Sequence, residues 1–165
     1  MSNQKARNSS SNYVITKEDT WNIAVSQTIT DGVVSIINWA FNVTPSIEDY
    51  IVYNGAGIYE VKITGIYEID VNIAWAATTP AAVVGLRKVF IDVDNNGVEN
   101  ASSSQPATPG ITFNTMQHIS KRSKLNAGQQ FSIKVQHTQG SDLDINGIGT
   151  SASRLTTLDI MYSES

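Results

Sequence analysis

Cysteine is absent from the 165-residue chain. That excludes disulfides, a thiolate metal site and a cysteine nucleophile, and it leaves stability to packing or oligomerisation. Charge is scarce as well. Asp, Glu, Lys and Arg make up 16% of residues, against roughly 25% in an average globular protein. The net charge is -4 and the pI near 5.0, so there is no basic footprint for nucleic acid. No apolar run approaches the ~20 residues of a bilayer-spanning helix, and no membrane span is expected. The opening MSNQKARNSSSN lacks the apolar segment of a secretory signal. Leu occurs only 5 times.

What is present points one way. Ile and Val total 33 and Thr adds 15. Such β-branched side chains lose χ1 freedom in helices and pack well on pleated sheets, so the chain is expected to be all-β. Ser, Thr, Asn and Gln number 55, a third of the sequence, so neutral polar groups must cover most of the surface. A mass of 17.9 kDa fits one domain with a real core.

Residues 1–20 read as a polar arm and 21–165 as the folded domain. The arm is either a floppy tail or a segment that orders against a partner, with Lys5, Arg7 and Tyr13 as its contact residues. In residues 13–31, Thr16-Lys-Glu-Asp19 resembles a helix capping box, yet Trp21, Ile23, Val25 and Ile29 fit period two, and a strand is favoured. Val33–Phe41 reads as a strand, and Pro45 ends its extension. Ile51–Tyr53 is a short strand stopped by the Asn54-Gly55 turn pair. Tyr59, Val61 and Ile63 alternate up to Gly65. Then Tyr67, Ile69, Val71, Ile73 and Trp75 alternate strictly with Glu68, Asp70, Asn72 and Ala74, the clearest strand signal in the chain. Val84–Val93 is a further strand. A polar stretch runs from Asp94 to Gly110. Ile111–Leu125 alternates imperfectly, which suggests a bulge. Phe131–Val135 and Leu158–Tyr162 alternate again, separated by a polar loop from Gly140 to Ser153. Eight or nine strands with turns between them predict a β-sandwich or jelly roll.

Few motifs carry chemistry. Asp92-Val-Asp94-Asn-Asn96-Gly97 matches the first half of a calcium loop, so Asp92, Asp94 and Asn96 are the candidate metal ligands. The twelfth position is Ser103 rather than Glu, and Asn96-Gly97 is equally an ordinary hairpin turn; the turn is the preferred reading and no cofactor is expected. Asp142-Leu-Asp144 with Asn146-Gly147 is a second acidic loop, which would strengthen the case for a cation only if the two loops converge. Gly149-Thr-Ser151-Ala-Ser153 falls short of a nucleophile elbow by its last Gly. His118 and His137 lie on predicted strands without visible triad or metal partners. No catalytic residue is assigned, and the chain is not expected to be an enzyme. Lys121-Arg-Ser-Lys124 is the only basic cluster and reads as a solvated strand end. The sequons at Asn8, Asn42 and Asn100 are read as chance. Trp39, Trp75, Tyr50, Tyr53 and Tyr67 are read as core plus an intersubunit seam, with a sugar-stacking surface as the alternative.

The order of the strand motifs resembles a known family. Asn54-Gly-Ala-Gly57-Ile-Tyr59-Glu-Val61-Lys-Ile-Thr-Gly65-Ile-Tyr67 is similar to the signature of the C1q/tumour necrosis factor-like jelly roll. Trp75, the Arg87-Lys-Val89-Phe-Ile91 strand, Leu125-Asn-Ala-Gly128-Gln-Gln-Phe131 and Ser153-Arg-Leu155-Thr-Thr-Leu158 follow in the family's order. Gln129 stands where the family usually has Asp. The resemblance covers roughly residues 33–163 and marks Gly57, Tyr59, Gly65, Tyr67, Trp75 and Gly128 as structural signature residues. It implies a homotrimer in which one sheet of each jelly roll surrounds a threefold axis, and loops at one end meet ligands. Loops 77–83, 94–110 and 138–153 are the candidates. The composition suits microbial members of this fold. The expected role is a structural virion protein of a bacteriophage, made in the bacterial host cytoplasm and displayed on the virion surface as a head fibre, capsid decoration or receptor-binding fibre tip. The arm would attach it to a capsid or tail protein, and the loops to a host-surface glycan or protein. The alternative is a bacterial surface or secreted glycan- or protein-binding module of the same fold.

Overall fold

Thirteen strands and no helix occur among the residues described by the computed structural model, 16–41, 47–77, 85–106, 114–148 and 155–164. In chain order they are β1 (Thr16–Asn22), β2 (Gln27–Ile29), β3 (Ser35–Ile36), β4 (Ala40–Phe41), β5 (Ile51–Tyr53), β6 (Ile58–Val61), β7 (Gly65–Trp75), β8 (Leu86–Val93), β9 (Ala101–Pro106), β10 (Thr115–Leu125), β11 (Gln130–His137), β12 (Leu143–Ile145) and β13 (Thr157–Ser163). They build two antiparallel sheets. A seven-stranded sheet runs β2-β12-β7-β13-β1-β4, with β10 also paired to β7. A six-stranded sheet runs β5-β6-β11-β8-β9, with β3 also on β11.

Period two decides which way each strand faces. Tyr67, Ile69, Val71, Ile73 and Trp75 of β7 are all buried, while Ile66, Glu68, Asp70 and Asn72 line its other face. Leu158 and Ile160 of β13, Val89 and Ile91 of β8, and Ile133 and Val135 of β11 fill the same core. Each fully buried aliphatic side chain contributes roughly 1.5–3 kcal/mol. In a chain without cysteine, this packing carries the fold. A second, aromatic part of the core joins Trp21, Tyr53, Tyr59 and Phe131, with Trp21 edge-on to Tyr59 at 4.9 Å and Tyr59 stacked on Phe131 at 5.1 Å.

Several elements differ from the expectation. The strand expected over residues 33–41 reduces to the two-residue β3 and β4. Gln27 replaces part of the missing ladder: its amide donates to the Ile36 carbonyl at 2.8 Å and accepts the Asn38 N–H at 3.0 Å. Val33 and Val34 stay exposed. The polar stretch 94–110 contains a strand, β9, because Ser102–Ser104 pair along β8 as an edge strand ending at Pro106. The loop 140–153 contains β12, whose Leu143 and Ile145 enter the core. In β10 the register to β7 is continuous from Thr115↔Trp75 to Leu125↔Gly65, without a bulge. Its alternation is broken by polar Gln117, Lys121 and Ser123 on the inward side, not by an extra residue. The capping-box region is strand, as favoured. Residues 16–20, grouped with the arm from their polarity, belong to the seven-stranded sheet through β13.

The two ends of the sandwich differ. One gathers Thr16, Ser163, Gly65 and the Asp94–Gly97 turn, since Asp94 N–H reaches the Gln130 carbonyl and Gly128 N–H the Val61 carbonyl. The other gathers Trp75, Arg87, Thr115 and His137. So the loops expected to point outward do not share one end. Ala77 and the segment from Thr138 lie at the second end, and Asp94–Asn100 at the first.

Candidate functional site

The outer face of the seven-stranded sheet is a ladder of polar rows. Asn22, Thr157, Asn72 and His118 form one row; Thr20, Asp159, Asp70 and Ser120 the next; Glu18, Met161, Glu68 and Arg122 a third. Asp70 and Asp159 stand directly opposite each other, a repulsive pairing if left alone. Each has a partner: His118 Nε2 contacts Asp70, and the Thr20 hydroxyl donates to Asp159. Arg122 lies opposite Glu68. The two facing aspartates are thus each held by a neighbour on the face. A cleft of ≈ 340 Å³ opens on it between Ile66, Glu68, Arg122, Met161 and Glu164.

The aromatics read as core plus seam divide between the core and its margin. Trp39, Tyr67 and Trp75 are buried in the core, and Tyr50 and Tyr53 pack against its edge. Tyr67 donates its hydroxyl to the carbonyls of Ile63 (2.7 Å) and Tyr50 (3.0 Å), and burial pushes its pKa above the ordinary tyrosine value. Tyr59 differs: its hydroxyl does not reach an edge but is buried, with no hydrogen bond to the described residues. Gly57 has φ +79°, and a Cβ there would lie 2.3 Å from the Ile37 carbonyl oxygen. Gly65 makes room for a neighbouring ring. It is part of β7, and a Cβ would lie 2.3 Å from the ring of Tyr162. Gly128, φ +86°, forms the tight turn into β11 with open space around it.

The Asp92 turn is held by protein groups. Asp92 is buried; one carboxylate oxygen accepts the Asn96 N–H at 3.2 Å, and the other accepts the Gly97 N–H at 3.0 Å and an ion pair from Lys134. Asp94, at φ +69°, faces the Gln129 amide at 3.3 Å, and the Asn96 side chain accepts the Val98 N–H at 2.9 Å. A cation here would have to displace Lys134. The second acidic loop is at the other end. Asp142 accepts the Asp31 N–H at 3.1 Å, and Asp144 accepts the Thr28 hydroxyl at 2.6 Å. The two loops do not converge. Lys5, Arg7, Tyr13 and the 149–153 motif lie outside the described residues.

Sequence reasoning missed a polar cluster inside the second end. Trp75 donates its indole N–H to Gln117 Oε1 at 3.0 Å, and Gln117 in turn donates to the Ser103 carbonyl at 2.7 Å. Arg87 sits 5.7 Å from the Trp75 ring centroid and donates to Thr115 Oγ1. With its amide oxygen toward the guanidinium, Gln139 accepts from Arg87 Nε at 2.6 Å and Nη2 at 3.2 Å. Buried His137 approaches the Ile29 carbonyl at 2.8 Å through Nε2 and Asp31 at 3.4 Å through Nδ1. The one available signal was the period of β8, which puts Arg87 on the face of Val89 and Ile91.

Comparison with solved structures decides the architecture. The fold is a TNF-like jelly roll. Murine APRIL at pH 8.0 superposes with a TM-score of 0.61 at 13% identity, covering 90% of this chain and 99% of that one. Eiger TNF from S. frugiperda superposes at 0.56 with 11% identity, covering 92% and 94%. No protein-family description and no curated protein matches the sequence. The likeness is one of fold alone. No helix of the described residues is long and apolar enough to cross a membrane.

Proposed function

We propose that the chain is a non-enzymatic structural protein that works as a homotrimer, displayed on a bacteriophage particle as a head fibre, capsid decoration or fibre tip. The observation that carries the trimer is the outer face of the seven-stranded sheet. It is long, regular and half-buried along β7, and its two facing aspartates, Asp70 and Asp159, are held by His118 and Thr20. A face whose opposed carboxylates are already hydrogen-bonded can be covered by copies of itself at lower cost. The TNF-like fold, and the trimer that the family resemblance implies, support self-association. The virion assignment rests on composition: scarce charge, no cysteine and a neutral polar surface.

The test has two parts. Light scattering on the purified chain is expected to give three times the 17.9 kDa chain mass; a monomer at micromolar concentration overturns the trimer. Deleting residues 1–15, which leaves β1 intact, is expected to give a folded trimer that no longer joins phage particles. Normal incorporation overturns the attachment role of the arm. The binding-module reading draws on a separate observation: Val25, Val33, Val34, Leu86 and Ile148 are exposed, and several of them border the end remote from Thr16. Glycan-array binding lost on changing Leu86 and Ile148 to Ser would favour it.

A further inference from the structure

Arg87 is a buried charge without a countercharge. The residue is 1% exposed. Burial lowers its pKa from the ordinary value, but a guanidinium does not deprotonate in proteins, so the cation must be stabilised where it sits. All 15 Asp and Glu residues of the chain lie among the described residues. The ion pairs formed there are Lys88–Glu99, His118–Asp70, Lys134–Asp92 and His137–Asp31. None of them uses Arg87. Its partners are neutral: the Thr115 hydroxyl, the Gln139 amide oxygen and the face of Trp75.

These contacts also leave donors over. A guanidinium carries five N–H groups. Thr115 takes one from Nη1, and Gln139 takes Nε–H and one from Nη2. One N–H on each terminal nitrogen has no acceptor among the described residues. Two N–H groups of one guanidinium match the two oxygens of a carboxylate. Water can accept from both but cannot supply the missing charge, and an uncompensated buried ion is costly.

We propose that Arg87 is the base of an anion site that takes a small carboxylate from solution. The site ties together four strand ends: Trp75 closing β7, Arg87 opening β8, Thr115 opening β10 and Gln139 just beyond β11. Because the guanidinium is enclosed, the anion enters only when these ends part, and its exchange is slow. A bound carboxylate thus stiffens the end of the sandwich that is remote from Thr16.

Formate is the probe. Melting temperature is measured in sodium formate and in sodium isethionate, a larger sulfonate, at equal ionic strength and pH. Formate is expected to raise the melting temperature of the wild-type chain saturably by a few degrees, as binding to the native state alone requires. Gln139→Glu places a carboxylate against Arg87 Nε and Nη2. It is expected to melt above the wild type in isethionate and to lose the formate response. ¹³C-formate should show a slowly exchanging bound signal with the wild type and none with Gln139→Glu. Equal melting temperatures of the wild type in the two salts, or a full formate response in Gln139→Glu, overturn the site.

Discussion

Tyr67 shows how one hydroxyl locks a jelly roll at its edge. Its ring is buried in the core while its O–H spans the carbonyls of Ile63 and Tyr50, so the strand β7 and the turn before β5 are held by one group. Removing the hydroxyl in Tyr67→Phe leaves the Ile63 carbonyl short of a donor, while the Tyr50 carbonyl keeps the Lys62 N–H at 2.8 Å, and should cost about 1 kcal/mol at pH 7, read from urea midpoints. The same residue sets a pH dependence. Burial raises its folded-state pKa above the ordinary value of 10.0, so the native state holds its proton more tightly than the unfolded chain. That stability is complete below about pH 10 and is lost as pH rises toward the folded-state value. Tyr59 is raised as well, mainly by burial. Tyr67→Phe should therefore show a shallower alkaline decline than the wild type, though not a flat one. An unchanged slope between pH 9.5 and 11 would remove Tyr67 from this account.

Turns and edges decide the elements. Gly57 and Gly128 both have positive φ, but their surroundings differ. A Cβ at Gly57 strikes the Ile37 backbone, which cannot move without shifting the chain between β3 and β4; a Cβ at Gly128 meets nothing. Gly128→Ala should cost only the backbone preference, about 1 kcal/mol. Gly57→Ala should cost several times that or prevent folding, and thermal melts of the two variants make the comparison. Equal losses would mean that the segment at Ile36–Ile37 yields freely. β9 and β12 illustrate the other side of element formation. Neither has enough apolar alternation to declare itself as a strand. β9 forms because β8 offers a free edge for its backbone, and β12 because Leu143 and Ile145 find room between β2 and β7.

For the whole molecule, the deciding feature is the face of the seven-stranded sheet. Met161 lies near its middle, with Glu18 and Glu68 on either side in the ladder. An Arg there is welcomed by those carboxylates in a separate chain but is too large and too charged for a closed seam. Met161→Arg is therefore expected to shift the chain from trimer to monomer in light scattering while leaving the circular dichroism spectrum unchanged. A trimer of wild-type stability would move the seam to another surface.

Much of this was legible in the residues themselves. Alternation over Tyr67–Trp75 identified the strand and its core face, because period two is a local property of the pleat. Asn54-Gly55 and Gly128 marked turns for an equally local reason. The same period even placed Arg87 beside Val89 and Ile91. What no local pattern could state is that none of the fifteen carboxylates reaches that arginine. Nor could it state that Gln117 faces inward to hold Trp75, or that the two acidic loops lie at opposite ends. Those facts depend on strands far apart in sequence being brought side by side. Sequence by itself determined the strongly alternating strands and the glycine turns, because those are local; tertiary structure alone decided where edge segments such as β9 extend and which neighbours each buried polar group would find.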